Sequence, residues 1–264
     1  MHKIIYATDL HGNKVLFQKL FAEAAKNKAK AIVYGGDIGP LETSGLKDRI
    51  ENQKKFLLDF LLPKIKDLKK KKIGFYCIMG NGDFKVNEGI LVEADKRGEL
   101  HYLQMKAAVL GKHKIAGYGF VNLFPFATKD WEKPEFEMVQ REGIRTVPVE
   151  RTTMSEDLAA LKMLFDPKKT VYVLHAPPFD SLLDMIYGES HVGSKAIRQF
   201  IEETQPRLTL HGHIHESSEV SGSFADRIGR TICLNPGANP YADKARFLLL
   251  DLDDLKKIKI LEAK

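Results

Sequence analysis

Lys3-Ile4-Ile5-Tyr6-Ala7-Thr8-Asp9-Leu10-His11-Gly12-Asn13 decides how the rest of the chain is read. An apolar run typical of a buried strand leads straight into a polar cluster holding Asp, His, Gly and Asn. The same arrangement returns down the chain. Residues 31–34 run into Gly36-Asp37, 73–79 into Gly80-Asn81-Gly82-Asp83, 171–174 into His175-Ala176-Pro177-Pro178, and 207–210 toward Gly212-His213-Ile214-His215. Loops leaving the C-terminal ends of strands are where α/β folds build sites. Glycine beside a ligand lets several side chains converge on a small volume.

Between the early strands, residues 16–25 and 56–68 have helical spacing. The resulting β-α-β-α order implies parallel strands joined by crossover helices. Beyond residue 103, closely spaced strand candidates at 107–110, 114–118, 231–234, 247–250 and 258–261 predict a second, more antiparallel sheet. No repeat or low-complexity linker divides the chain, and the polar clusters come from both halves. Residues 1–264 therefore read as one α/β domain with two packed sheets.

Composition excludes several classes. With 44% hydrophobic and 29% charged residues, the chain is neither disordered nor collagen-like. The N-terminal apolar stretch is too short for a secretory signal and no run is long enough to cross a bilayer, so a cytoplasmic protein without membrane contact is expected. Cys77 and Cys233 each sit in an apolar run and read as buried, inert thiols. The net charge of +6 owes much to the lysines of residues 64–72, which read as the solvated end of a helix. Nucleic acid is not the expected partner. Residues 121–151 lack periodicity and carry Phe124, Phe126, Trp131 and Phe136 among prolines and charges. They read as an ordered loop facing the substrate, with a satellite core or a homo-oligomer interface as the other readings.

Each polar cluster taken alone is a weak signal, since an Asp after a strand is most often a helix cap. Together they supply Asp9, His11, Asp37, Asn81, His175, His213 and His215. This mixed oxygen and imidazole set suits Mn, Fe, Zn, Ni or related ions. Only two of the seven are carboxylates, so a cation they held would keep much of its positive charge.

In this order D-x-H, G-D, G-N, a strand-end His and G-H-x-H resemble the calcineurin-like metallophosphoesterase signature, over Asp9 to His215. The resemblance implies a four-layer α/β/β/α sandwich with two packed mixed sheets. It also implies two divalent ions, one held by Asp9, His11, Asp37 and His215 and the other by Asp37, Asn81, His175 and His213, with Asp37 bridging. The implied activity is hydrolysis of a phosphate monoester or diester by hydroxide, with Asp37, Asn81, Asp83 and His213 as the catalytic set. Asp83 would act from behind the ligands. Many members of the family carry His directly after Gly-Asn to protonate the leaving group, whereas this chain has Gly82.

Asn13, Trp131 and His191 are expected to contact substrate. His191-Val192-Gly193-Ser194 resembles a stretch in a prokaryotic Icc-like subgroup of the family, and helix capping by Ser194 is its plainer reading. His211 shares a strand face with His213 and could point at a metal, although the motif selects His213 and His215. Asn235 or the Gly237 amide reads either as part of a tight turn or as a brace for a metal-ligating histidine. Two other functions compete, a binding scaffold that keeps the ligands without turnover and a nuclease. Glu132, Glu135, Glu137, Glu142 and Glu150 argue against the nuclease by repelling a phosphate backbone.

Overall fold

Both faces of strand β1 (Lys3–Ala7) are buried, and they are buried against different things. In a computed structural model describing residues 2–263 apart from 42–44, 140, 141, 150 and 243, Ile4 and Tyr6 join one apolar cluster while Ile5 and Ala7 join another. Helix α1 (Lys14–Lys26) packs Leu16, Phe17 and Leu20 into the second of these. Strand β2 (Ala31–Tyr34) repeats the split, with Ala31 and Val33 on one side and Ile32 and Tyr34 on the other. This is the two-residue period of a strand read with both faces apolar, as a covered parallel sheet requires.

Next comes a long helical stretch, α2 (Leu46–Lys55), a π-helical segment (Phe56–Leu61) and α3 (Leu62–Lys70). Pro63 has no N–H to offer in the helix interior, and just before it Leu62 N–H reaches back five residues to the Leu57 carbonyl. As expected, the lysine-rich run follows the exposed side and end of α3, while Ile65 and Leu68 turn inward. Strand β3 (Gly74–Cys77), helix α4 (Glu88–Lys96) and strand β4 (His101–Tyr102) complete this half.

The second half builds the other sheet from β5 (Ala107–Leu110), β6 (His113–Tyr118), β7 (Thr170–Leu174), β8 (Leu208–Leu210), β9 (Ala225–Ile228) and β10 (Thr231–Leu234). Its helices are α5 (Met154–Leu161), α6 (Lys195–Thr204) and the short α7 (Ser217–Val220). The chain then returns to the first sheet with β11 (Ala238–Asn239), β12 (Lys244–Asp251) and β13 (Ile258–Ala263).

The first sheet runs β11-β12-β1-β2-β3-β4, with β13 also on β12; the second runs β5-β6-β7-β8-β10-β9. Ile4, Val33 and Tyr76 of one sheet share a cluster with Ile115, Val173 and Leu210 of the other, so the sheets pack face to face. Helix residues such as Phe17, Leu61, Leu158 and Ile197 cover the outer faces, giving the α/β/β/α sandwich.

One expectation is corrected. The strands at 247–250 and 258–261 belong to the first sheet, where β12 pairs antiparallel with β1 and Lys3 faces Asp251. The inner strands β6, β7, β8 and β10 of the second sheet are parallel, and only its edge pairs are antiparallel. Phe247 faces the helix side and Leu248 and Leu250 the space between the sheets, so β12 needs an inner position that β1 provides. Cys77 and Cys233 are buried free thiols, and burial pushes the Cys233 thiol up to about 11. Among the described residues no helix is long and apolar enough to cross a membrane.

Candidate metal centre

Strands β1, β2 and β3 are parallel neighbours, as are β7 and β8, so the five polar clusters emerge at C-terminal strand ends. Four of the seven candidate ligands turn their backbones into the left-handed region, with φ of 56° at Asp9, 43° at His11, 55° at Asp37 and 65° at His213. A non-glycine residue there costs on the order of 1 kcal/mol and persists only where its surroundings hold it. Here the loops hold one another. Asp9 N–H donates to the Gly36 carbonyl at 3.1 Å, His11 N–H to the Asp37 carbonyl at 3.1 Å, and His213 N–H to the Asp9 carboxylate at 3.1 Å.

The side chains of Asp9, His11, Asp37 and His215 converge until one ligand atom from each lies within 4.8 Å of all the others. His11 Nε2 and His215 Nε2 are 3.1 Å apart, His11 Nε2 is 3.4 Å from Asp37 Oδ2, and His215 Nε2 is 3.5 Å from Asp9 Oδ1. Ligands on one cation with bonds of about 2.1 Å stand roughly 3.0–3.4 Å from each other, so these separations fit a shared ion. Two imidazole nitrogens aimed at one point beside two carboxylates are a donor set that suits a divalent cation.

The other oxygen of Asp37 faces a second group. Asp37 Oδ1 lies 3.4 Å from His175 Nε2, which is 3.0 Å from Asn81 Oδ1, itself 2.6 Å from His213 Nδ1. His175 Nδ1–H donates to the Gly35 carbonyl at 2.8 Å, which fixes the ring and leaves Nε2 as its ligand atom. Gly80 makes this crowding feasible. A β-carbon there would lie 2.3 Å from Asp37 Oδ1 and 2.5 Å from His175 Nε2.

Burial alone would push Asp37 upward, but the His175 and His11 rings and the Gly82 N–H, 2.7 Å from Oδ1, hold its carboxyl well below the usual range. Burial pulls His175 down, yet Asp37 outweighs it and lifts the ring to about 9. Burial and the neighbouring cationic His175 push His213 down to about 3.

Asp83, expected among the catalytic residues, lies behind the ligands and does not line the cleft. Its carboxylate accepts from Ile38, Gly39 and Gly80 N–H at 3.1, 2.8 and 3.0 Å, tying the loop of Asp37 to the loop of Asn81. Asn235 also braces backbone, donating to the Gly212 and Ile214 carbonyls at 3.2 Å on either side of His213. His211 is a structural histidine. It is fully buried, with Nδ1–H shared by the Leu174 and Ala176 carbonyls and Nε2 accepting from Thr209.

The cluster forms the floor of a cleft of about 970 Å³ lined by His11, Asp37, Asn81 and His213. His191 lines it, and Phe124 and Phe126 form part of its wall. Two expectations fail. Trp131 is fully buried, packed 5.0 Å from the Phe120 ring with the Lys85 ammonium over it, because the segment folds back through pairing of Val121 with Glu132. Asn13 is spent as a helix cap, accepting from Leu16 N–H and donating to the Pro240 carbonyl. Glu132 is likewise buried in an ion pair with Lys129, and Glu150 lies outside the described residues. Sequence reading missed Arg49 and Lys195, cations on the cleft wall. Arg49 comes from a helix with no motif, and its Nε is buried without a hydrogen-bond partner among the described residues.

The model of the calcineurin-like phosphoesterase family matches residues 2–217, a span that contains all seven candidate ligands. The chain belongs to this family. Among solved structures, a protein of Thermus thermophilus is similar at 17% identity and a TM-score of 0.64, covering 100% of this chain and 99% of that one. A dimetal phosphatase from Danio rerio aligns at 10% identity and a TM-score of 0.54, with 99% and 98% covered. An archaeal phosphodiesterase aligns at 10% and 0.52, with 98% and 99% covered. At such identities the likeness is one of fold. No curated protein sequence matches significantly. In this member of the family, the family and the cluster of Asp9, His11, Asp37 and His215 together imply divalent metal ions.

Proposed function

We propose that the chain is a binuclear metal-dependent phosphoesterase that hydrolyses a small phosphate monoester or diester, working as one domain. The observation that carries this reading is the placement of Asp37, whose Oδ2 and Oδ1 each lie 3.4 Å from a histidine of a different cluster. Asp9, His11 and His215 would complete one site and Asn81, His175 and His213 the other. Ions held there would activate water and polarise the phosphoryl oxygens.

The chain's own residues do the rest. Asp83 and the loop bonds it accepts keep the two ligand-bearing turns in register. Arg49 and Lys195 add positive charge to the wall that a phosphate would meet. The Phe124 ring packs edge-on against His213 at 5.5 Å and carries Phe126 at 5.1 Å, an apolar wall for the organic part of the ester. Both a dimetal phosphatase and a phosphodiesterase share this fold, which supports the ester class.

A screen of phosphate monoesters, aryl phosphodiesters, cyclic nucleotides and oligonucleotides with added Mn2+ tests the reading. Turnover of a small ester that disappears on chelation is the expected result. Full metal loading without hydrolysis of any of them would favour the scaffold, and activity confined to oligonucleotides would favour the nuclease.

A further inference from the structure

We propose that His191, held by the buried carboxylate of Asp184, gives a proton to the departing oxygen of the substrate. The inference rests on the phosphoester reading above. An ester whose leaving group is a poor anion needs a proton as its P–O bond breaks. Position 82, beside the cluster, supplies none, and a β-carbon there would already lie 3.1 Å from Asp37 Cγ and from His11 Cε1.

Outside the candidate ligands, the cleft wall also carries Glu216, the 78% exposed Tyr241, and three ionisable side chains that are committed or of the wrong kind. Glu135 accepts from Ser194 Oγ at 2.7 Å and from Ala196 N–H at 2.9 Å at the start of α6. Lys195 lies over the Phe179 ring at 5.1 Å. Arg49 does not release a proton in proteins.

His191 differs from all of these. Its Nδ1–H donates to Asp184 Oδ1 at 2.7 Å, and Asp184 is fully buried. That carboxylate also accepts from Ser181, Gly193 and Asp180 N–H at 2.9, 2.9 and 3.1 Å, so its position is fixed before any substrate arrives. The ring therefore has one orientation, with its side chain 30% exposed on the cleft wall. Nε2 is 3.8 Å from the exposed Asp180 carboxylate, beyond hydrogen-bond distance, and is available to a ligand. A ring nitrogen backed by a fixed carboxylate on the other is the arrangement that supports a transient imidazolium.

In the step itself, a water oxygen forms the new P–O bond and its proton passes to solvent. The bond to the leaving oxygen breaks with the electron pair staying on that oxygen, which takes the Nε2 proton of the imidazolium. His191 then regains a proton from solvent through its exposed edge, and no other reagent is consumed.

The test compares 4-nitrophenyl and phenyl esters, in the monoester or methyl diester form that the Mn2+-loaded wild-type protein turns over. His191→Asn should lower kcat for the phenyl ester by about 10²-fold or more and change the 4-nitrophenyl ester by less than about threefold. Metal content by elemental analysis should not change. His191→Gln is the second variant if Asn disturbs the loop, and Asp184→Asn should give an intermediate loss on the phenyl ester only. In the metal-free protein, long-range 1H–15N correlation should find a proton on His191 Nδ1. Equal loss on both esters, no loss on either, or an Nδ1 without a proton would overturn the assignment. A wild-type protein that binds metal and hydrolyses neither ester would remove the phosphoester reading itself.

Discussion

At the floor of the cleft Asp37 is 2% exposed and fixed by bonds from two other loops, whereas at its rim Phe126 is 66% exposed and held mainly by the edge of Phe124. The floor is made by strand ends, where backbone bonds between neighbouring loops set each side chain. The rim is made by side chains such as Phe126 that stand out from a loop, whose own backbone is pinned where Thr128 pairs with Ile144 and Val121 with Glu132. The difference teaches that changes at the two places should have different costs, and if the proposed function holds, chemistry and selectivity would be separable. The floor should tolerate almost no change, and the rim should tolerate a good deal.

Asp37→Ala attacks that contrast at its strongest point. Because both of its oxygens are engaged, one at each cluster, the variant should lose occupancy at both sites and on the order of 10³-fold in hydrolysis. Elemental analysis beside a rate measurement checks this, and loss of a single ion would show that the residue is not shared.

Trp131→Ala separates the buried part of the loop from its wall. Removing a fully buried indole should cost about 3–5 kcal/mol in denaturant unfolding. KM should stay near the wild-type value for the fraction that folds. A raised KM at unchanged stability would return Trp131 to the substrate.

The pH dependence of metal uptake probes the floor more gently. Asp37 lifts His175 to about 9, above the ordinary 6.5, so the ring carries a proton at neutral pH that a metal must displace. Affinity should therefore rise from pH 6 toward 9, by up to about tenfold per pH unit for this proton, and level off above. Metal titrations at fixed ionic strength across that window measure it, and affinity that falls with pH would contradict the sign.

Phe126→Ala should have the smallest effect. Loss of part of an apolar wall is worth about 1 kcal/mol, raising KM roughly fivefold with kcat nearly constant. A collapse of kcat at steady KM would mean that the rim takes part in the chemical step.

The floor was legible because its residues follow strands that announce themselves by apolar runs and because glycine marks each turn. Asp9, Asp37, His175 and His213 all lie where spacing placed them. The rim was not legible. Trp131 and Phe126 look alike in sequence, and only the pairing that folds Trp131 under Phe120 tells them apart. Asp184 was missed for a similar reason, since a loop Asp ordinarily reads as a turn former. The membership of β12 escaped because spacing along the chain does not encode which sheet edge a late strand will find.

The π-helical segment at Phe56–Leu61 carries a consequence for the cleft wall. One extra residue in a helix acts as a phase shifter, since each residue advances the helix by about 100°. On its N-terminal side, Gln53 donates to the Gly82 carbonyl at 2.7 Å and accepts from Phe84 N–H at 2.8 Å, while Arg49 faces the cleft. On its C-terminal side, Leu61, Leu62 and Ile65 point into the core. The angular offset lets one rod serve two masters. Deleting the exposed Leu58 would rewind the rod and swing Gln53 and Arg49 off the site while leaving every metal ligand in the sequence untouched.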